Sequence, residues 1–401
     1  MQTAACLIAV GCALGGPDAS EAWIDLPALP TPRQEVAVAA VSGVVYVIGG
    51  ITEDRRPSAI VEAYDPASRS WRRAADLPRA IHHVAAAASG GRLYTFGGLD
   101  ANFAAVADCF VYAPESDAWT PIAPLPAARG AAGVAELGGK IYVAGGQGAN
   151  GSLRDFTAFT PDPEGEGSWA ALPPMPTARN HLAAAALDGR FFAISGRAGG
   201  LRPELEAFDP SAGAWTPLAP IPTPRGGIAA AAVSRGIYVF GGEGNDDDST
   251  GVFQNVERYD VDSDAWSPRL DMSAPRHGIG AARVGDTIFI PGGSFVEGFG
   301  VTAVSTAYLP PAVDLPHFTR GDADGNGSVD LADALRILFR LYAGGAPFEC
   351  DDAADADNLG SIDLPDALRI LYYLFTDAEP LDAPVAGEAG DSRPDLLGCG
   401  S

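Results

Sequence analysis

The chain has 401 residues, 47% hydrophobic and 19% charged, a balance that supports a large core plus a small one and excludes a disordered polymer. Its formal charge is −25, Lys140 is the only lysine, and no basic tract exists, so its field repels phosphate backbones and anionic membranes and makes nucleic acid a poor partner. The 49 glycines and 33 prolines are spread along the chain and ask for many short strands joined by tight turns.

Residues 4–14 form an apolar run too short to cross a bilayer but of the size of an export-signal core, although no basic residue flanks it. Residues 1–21 are therefore read as a targeting segment, the protein as secreted or extracytoplasmic, and no integral membrane span is expected. Residues 8–12 loosely match a lipid-attachment box, which leaves a lipid anchor on Cys12 as an alternative. Cys109, in an alternating apolar stretch, is expected to be a buried free thiol, and Cys350 and Cys399 to pair in an oxidising compartment.

From residue 22 the chain repeats itself. Trp23, Trp71, Trp119, Trp169, Trp215 and Trp266 recur every 46 to 51 residues. A second series keeps step: Gly49-Gly50, Gly97-Gly98, Gly145-Gly146, Ser195-Gly196, Gly241-Gly242 and Gly292-Gly293, each with an aromatic three residues earlier. Each copy reads as four short strands: a small apolar one, an alternating one ending at the glycine pair, one ending in an aromatic plus turn residues, and one that starts at the Trp. The sixth copy has no Trp after Tyr308, and Trp23 has no preceding strands, so the N-terminal strand is expected to complete the last copy and close a ring of six.

This double glycine, following aromatic and spaced Trp resemble the kelch repeat over residues 22–312, which implies an all-β, six-bladed kelch β-propeller. Ser195 in place of the first glycine and the longer stretch between Phe159 and Trp169 are departures from the pattern. Arg33, Arg79, Arg129, Arg179, Arg225 and Arg276 stand at the start of the inner strands. In some kelch proteins arginines at this position contact acidic peptides, so the resemblance implies a candidate ligand-binding ring. The competing task, bonding carbonyls of the adjacent blade, suits a forked guanidinium equally and is the favoured of the two. The loops after the glycine pairs carry Phe103, Phe253, Phe295 and Phe299, either exposed anchors or, the preferred reading, residues tucked between blades. The acidic loop at 244–249 lacks fixed ligand spacing and reads as solvated charge.

No catalytic motif stands out. The histidines at 82, 83, 181, 277 and 317 show no HExxH or paired ligand spacing, and His82, His181 and His277 read as variants of one turn. Galactose-oxidase-like enzymes share kelch blades but need a copper site that these residues do not assemble. Sialic-acid mutarotases with six kelch blades need only a few polar groups at the channel mouth, which keeps a carbohydrate-modifying enzyme as the alternative.

After Pro310 and Pro311 the period changes. Residues 322–342 and 355–375 are near copies, each a calcium-loop motif running into a helix. The first loop offers Asp322, Asp324, Asn326, the Ser328 carbonyl, Asp330 and Asp333; the second offers Asp355, Asp357, Ser361, Asp363 and Asp366 but has Leu359 where a ligand is due. One stronger and one weaker calcium site are expected, with Leu335, Leu338 and Leu341 and their equivalents Leu368, Leu371 and Leu374 packing the two helices together. Loop, single helix and duplication resemble a type I dockerin, a small all-α calcium-loop domain placed at 313–376 and followed by an acidic tail at 377–401; the resemblance implies a cohesin-like partner. Together the segments suggest an exported binding protein, its propeller recognising a protein or glycan and its C-terminal module binding calcium and docking or anchoring.

Overall fold

The structure is a computed structural model. It describes residues 21–163, 165–311, 320–326, 328–345, 348, 351–356, 362–376 and 381. One compact unit spans Glu21–Pro310, and a separate one contains the C-terminal helices.

The first unit holds six four-stranded antiparallel sheets. The blade formed by Ala37–Val41, Val44–Ile48, Val61–Asp65 and Ser70–Arg73 shows the common plan. Its inner strand carries small side chains because neighbouring inner strands crowd the channel, and its second strand is buried almost throughout. The sixth blade pairs Ala22–Asp25 with Ser305–Leu309, Trp23 lying opposite Tyr308. The N-terminal strand thus closes the ring, as the missing sixth Trp required.

The tryptophans do more than fill space. Each indole donates its N–H to the carbonyl four residues beyond the preceding Trp: Trp71 to Pro27 at 2.9 Å, Trp119 to Ala75 at 2.8 Å and Trp169 to Ala123 at 2.9 Å. Trp215 reaches Pro173, Trp266 reaches Ala219, and Trp23 reaches Leu270 across the closure. A half-buried aromatic with one polar handle ties blade to blade in this way, which is why Trp rather than Phe recurs. The glycine pairs serve the same contact on the opposite side of the blade. Gly98 takes φ +123° and donates to the Arg129 carbonyl at 2.7 Å, while a Cβ on Gly97 would lie 2.2 Å from that same oxygen.

In the second unit α1 (Leu331–Ala343) and α3 (Leu364–Phe375) flank the short α2 (Asp351–Ala354). Asp330 and Asp363 begin the long helices with capping boxes to Asp333 and Asp366. The shared core is Ala334, Ile337, Ala354, Ala367 and Ile370, with Leu338, Leu341, Leu371 and Leu374 against it. The expected stripe is corrected at one position in each copy: Leu335 and Leu368 are 46% and 43% exposed. The small residues Ala334 and Ala367 take the inward place, beside Ile337 and Ile370. No helix among the described residues is long and apolar enough to cross a membrane.

Candidate functional site

Five of the six arginines proposed as a ligand ring are wholly inside the protein. Arg33, Arg129, Arg179, Arg225 and Arg276 are at most 1% exposed. Their guanidinium groups donate to main-chain oxygens of their own blade: Arg33 to Val47, Arg129 to Gly145 and Asp155, Arg179 to Ser195, Arg225 to Gly241, and Arg276 to Gly292 and Val304. Three meet buried carboxylates as well, Glu62, Glu206 and Glu257. Arg276 has Thr306 Oγ1 instead, at 2.7 Å, and burial pulls Arg276 down to about 10. Arg79 stands outside the register. Ile81 occupies the repeat position, its carbonyl receiving the Gly50 N–H at 2.9 Å, while Arg79 lies 41% exposed beside Asp100 and Asp108. These arginines hold turns from within, so the candidate ligand ring does not line the mouth, and the carbonyls they bond belong to their own blade and not to the adjacent one.

The mouth is built two residues further on. Glu35, His83, Ala131, His181, Gly227 and Gly278 all take positive φ. Each main-chain N–H donates to the next carbonyl around the axis: Glu35 to Gly278, Gly278 to Gly227, Gly227 to His181, His181 to Ala131, Ala131 to His83 and His83 to Glu35, at 2.7 to 3.1 Å. Left-handed backbone is costly for ordinary residues, and this six-membered hydrogen-bonded ring is what holds it. The residues just before, Gln34, His82, Gly130, Asn180, Gly226 and His277, bridge to those just after each glycine pair, Ile51, Leu99, Gln147, Arg197, Glu243 and Ser294. The two sets of links therefore share one face, as the repeat implied. His82 and His277 are equivalent to one another, and His83 to His181; the expectation that His82, His181 and His277 vary one position is corrected accordingly. His317 lies outside the described residues.

Polar side chains converge at that ring. His83 Nε2 is 3.1 Å from Glu35 Oε2 and 3.1 Å from His181 Nε2. Arg197 donates to His181 Nε2 at 2.8 Å and to Glu243 Oε1 at 2.6 Å, and His277 Nδ1 is 3.2 Å from Glu243 Oε2. Burial raises the Glu35 carboxyl to about 7, with His277 pulling the other way. Burial also lowers His83 to about 3 and His82 to about 4, and holds His181 well below the usual histidine range, so the imidazoles are neutral. At the rim, Phe103 packs edge-on to His82 and to Phe299, over which Arg55 stacks. Phe103, Phe295 and Phe299 are 51%, 41% and 44% exposed, so the tucked reading fails for these three; Phe253 is half-buried. The arrangement can offer a ligand a cation, a carboxyl that exchanges its proton near neutrality, neutral imidazoles and aromatic edges.

In the second unit, Asp322, Asp324 and Asp333 bring carboxylate oxygens within 4.8 Å of one another. Loop amides fix them: Asn326 N–H donates to Asp322 and Asp324, Asp324 N–H to Asp333 Oδ1, and Asp330 N–H to Asp333 Oδ2. Asn326 Oδ1 accepts from Ser328, and Asp330 Oδ1 caps α1 through Ala332. Burial raises Asp333, and the neighbouring Asp324 and Asp322 charges add to the rise, although two main-chain bonds oppose it. Three converging carboxylates under that strain fit a hard divalent cation such as calcium. In the second loop Asp355 and Asp366 are fully buried and Asp366 accepts from the Asp363 N–H, while Asp357, Leu359 and Ser361 lie outside the described residues. Cys109 is the free thiol expected, 2% exposed; Cys350 and Cys399 also fall outside.

Against known proteins, the kelch motif matches residues 32–78 and 80–126, and the KLHDC2/KLHL20/DRC7 kelch-repeats domain matches residues 122–293. The Kelch-like protein terF of Aspergillus terreus is 37% identical over 78 residues, 20% of this chain and 17% of that protein, so the match spans less than a fifth of the relative. The solved structure of YjhT is similar at TM-score 0.60 with 17% identity, over 70% of this chain and 95% of that one, a likeness of fold alone.

Proposed function

We propose that this chain, whose propeller is built of kelch repeats, is an exported binding protein that reads its ligand at the channel mouth. One observation carries the reading: the charged and polar side chains that the repeat does not explain, Glu35, His83, His181, Arg197, Glu243 and His277, gather at one place on the axis. A few fixed polar groups beside exposed aromatic edges suit a glycan or a polar protein loop, and Arg197 is the natural partner of a ligand carboxylate. The C-terminal module is proposed to bind calcium through the first loop, with Asp322, Asp324 and Asp333 as its anionic ligands, and to dock or anchor the propeller. A glycan and protein pull-down, with calcium and with chelator, tests both parts. Capture at the mouth is expected in either condition, and docking through the module only with calcium; no capture in any condition would overturn the reading.

A second reading draws on Glu35. A buried carboxyl raised to about 7 beside neutral His83 is poised for proton exchange at neutral pH. On a sugar hemiketal its carboxylate would take the anomeric hydroxyl proton while a solvent water gives a proton to the ring oxygen, the resulting hydroxide then recovering the proton from Glu35. The ring C–O bond then breaks to the open-chain carbonyl, and reclosure on either face gives the mutarotase chemistry. Anomer exchange of sialic acid followed by NMR is expected to accelerate with the wild type and not with Glu35→Gln; no acceleration by the wild type removes this reading and leaves binding intact.

A further inference from the structure

We propose that Glu35, His83 and His181 form a transition-metal site on the propeller axis, taking a zinc-like divalent ion through one carboxylate oxygen and two imidazole nitrogens. The inference concerns the ground state of the mouth and goes beyond the ligand reading above.

Hydrogen bonding behind each ring decides where its proton sits. His82 Nε2 faces the Asp100 carbonyl at 3.1 Å, an acceptor only, so the His82 proton is on Nε2 and its Nδ1 carries a lone pair. That Nδ1 faces His83 Nδ1, which must therefore donate, leaving His83 Nε2 bare. The Asn180 amide nitrogen donates to Gln147 Oε1 at 2.9 Å and Ser152 Oγ at 2.7 Å, which turns its oxygen toward His181 Nδ1 at 2.6 Å. His181 therefore holds its proton on Nδ1 and leaves Nε2 bare as well. The two imidazole lone pairs face each other at 3.1 Å and a Glu35 carboxyl oxygen lies 3.1 Å from His83 Nε2, so neither ring brings a proton to the cluster and the Glu35 carboxyl proton is the one a metal would displace. Outer partners that fix tautomers and aim bare nitrogens at one point are the ordinary surroundings of metal-ligating histidines.

The geometry is nearly set. The three ligand atoms lie within 4.8 Å of one another, and Zn–N bonds near 2.0–2.1 Å put tetrahedral neighbours about 3.3 Å apart. The Glu35 and His83 side chains are only 10% and 7% exposed, and all three residues sit in the hydrogen-bonded ring, so the main chain need not move. The cation that now faces His181 is Arg197. Its side chain is 36% exposed and already holds Glu243, so it can withdraw onto that carboxylate and yield its place. Three protein ligands would leave the fourth position open, the arrangement in which a metal also contacts water or a ligand.

The test is titration of the full-length, chelator-treated protein with CoCl2 and ZnCl2, with excess calcium present to occupy the acidic loops. One equivalent of cobalt with the visible absorption of a tetrahedral ion, displaced by zinc, is expected. His83→Asn and His181→Asn keep a residue that tolerates left-handed backbone and should weaken binding at least tenfold, about what losing even an outer-shell partner costs. Arg197→Met should tighten metal binding while it abolishes capture of a carboxylate ligand, which separates this inference from the proposed function. Absence of binding in both wild type and Arg197→Met, or binding indifferent to both histidine substitutions in variants of wild-type melting temperature, would overturn it.

Discussion

Glu206→Gln probes the buried arginines. Glu206 is 3% exposed and its Oε2 lies 2.7 Å from Arg179 Nη2, itself fully buried. Burial raises the Glu206 carboxyl and lowers Arg179, so desolvation outweighs attraction on both partners. Removing one charge strands the other, and breaking a buried pair in this way costs about 3–5 kcal/mol. At about 2 °C per kcal/mol for a domain of this size, the propeller melting temperature should fall by roughly 6–10 °C. Calorimetry with Asp155→Asn as control reads the effect, because Asp155 is 53% exposed and 3.7 Å from Arg129, so its loss should be nearly silent. Glu206→Thr should cost less than Glu206→Ala, since Thr306 serves Arg276 at the equivalent position. Equal, small shifts for Glu206→Gln and Asp155→Asn would refute the assignment of these arginines to the frame.

Trp23→Ala should cost about 3 kcal/mol. By hydrogen exchange it should loosen Ser305–Leu309 while leaving the blade at Ala183–Leu218 protected, because Trp23 packs on Tyr308 and Phe240 across the closure. Cys109, its thiol pushed up to about 12 by burial, should resist alkylation at pH 8 in the native protein and react on unfolding, read by mapping its peptide. His82 and His83 are depressed by burial to about 4 and about 3, so their contribution is full above pH 6.5 and lost as pH falls through those values; thermal melts should show acid destabilisation that His82→Asn reduces. Calcium added to chelated protein should stabilise the C-terminal unit by about 2.7 kcal/mol at a hundredfold excess over Kd, and Asp333→Asn should abolish the gain.

Blade number and closure were legible because Trp and glycine pairs each answer a contact repeated in every blade, so periodicity exposes them. The buried arginines carried a further signal: Thr31, Thr177 and Thr223 precede Arg33, Arg179 and Arg225 by two residues, and each hydroxyl bonds the glutamate that meets that arginine. A residue locked to a partner in its own blade is structural; Arg129 and Arg276 have Thr157 and Thr306 at the glutamate position, and the blade of Arg79 has the apolar Phe110 there. The mouth was not legible, for the opposite reason. Glu35, His83 and His181 break the repeat at a position that is Ala131, Gly227 or Gly278 elsewhere, and only closure of the ring brings blades one, two and four together. In the helical unit, the leucines at 335 and 368 satisfied the helical period, yet Ala334 and Ala367, one position earlier, lie on the covered side.

The most direct test of the account is a glycan array probed with wild-type protein and Arg197→Met side by side, with melting temperatures matched. The account predicts that carboxylate-bearing glycans bound by the wild type are lost from the variant, while Arg79→Met, at the displaced arginine, binds as before. Equal binding by wild type and Arg197→Met, or loss in Arg79→Met alone, would contradict the placement of the site at the channel mouth.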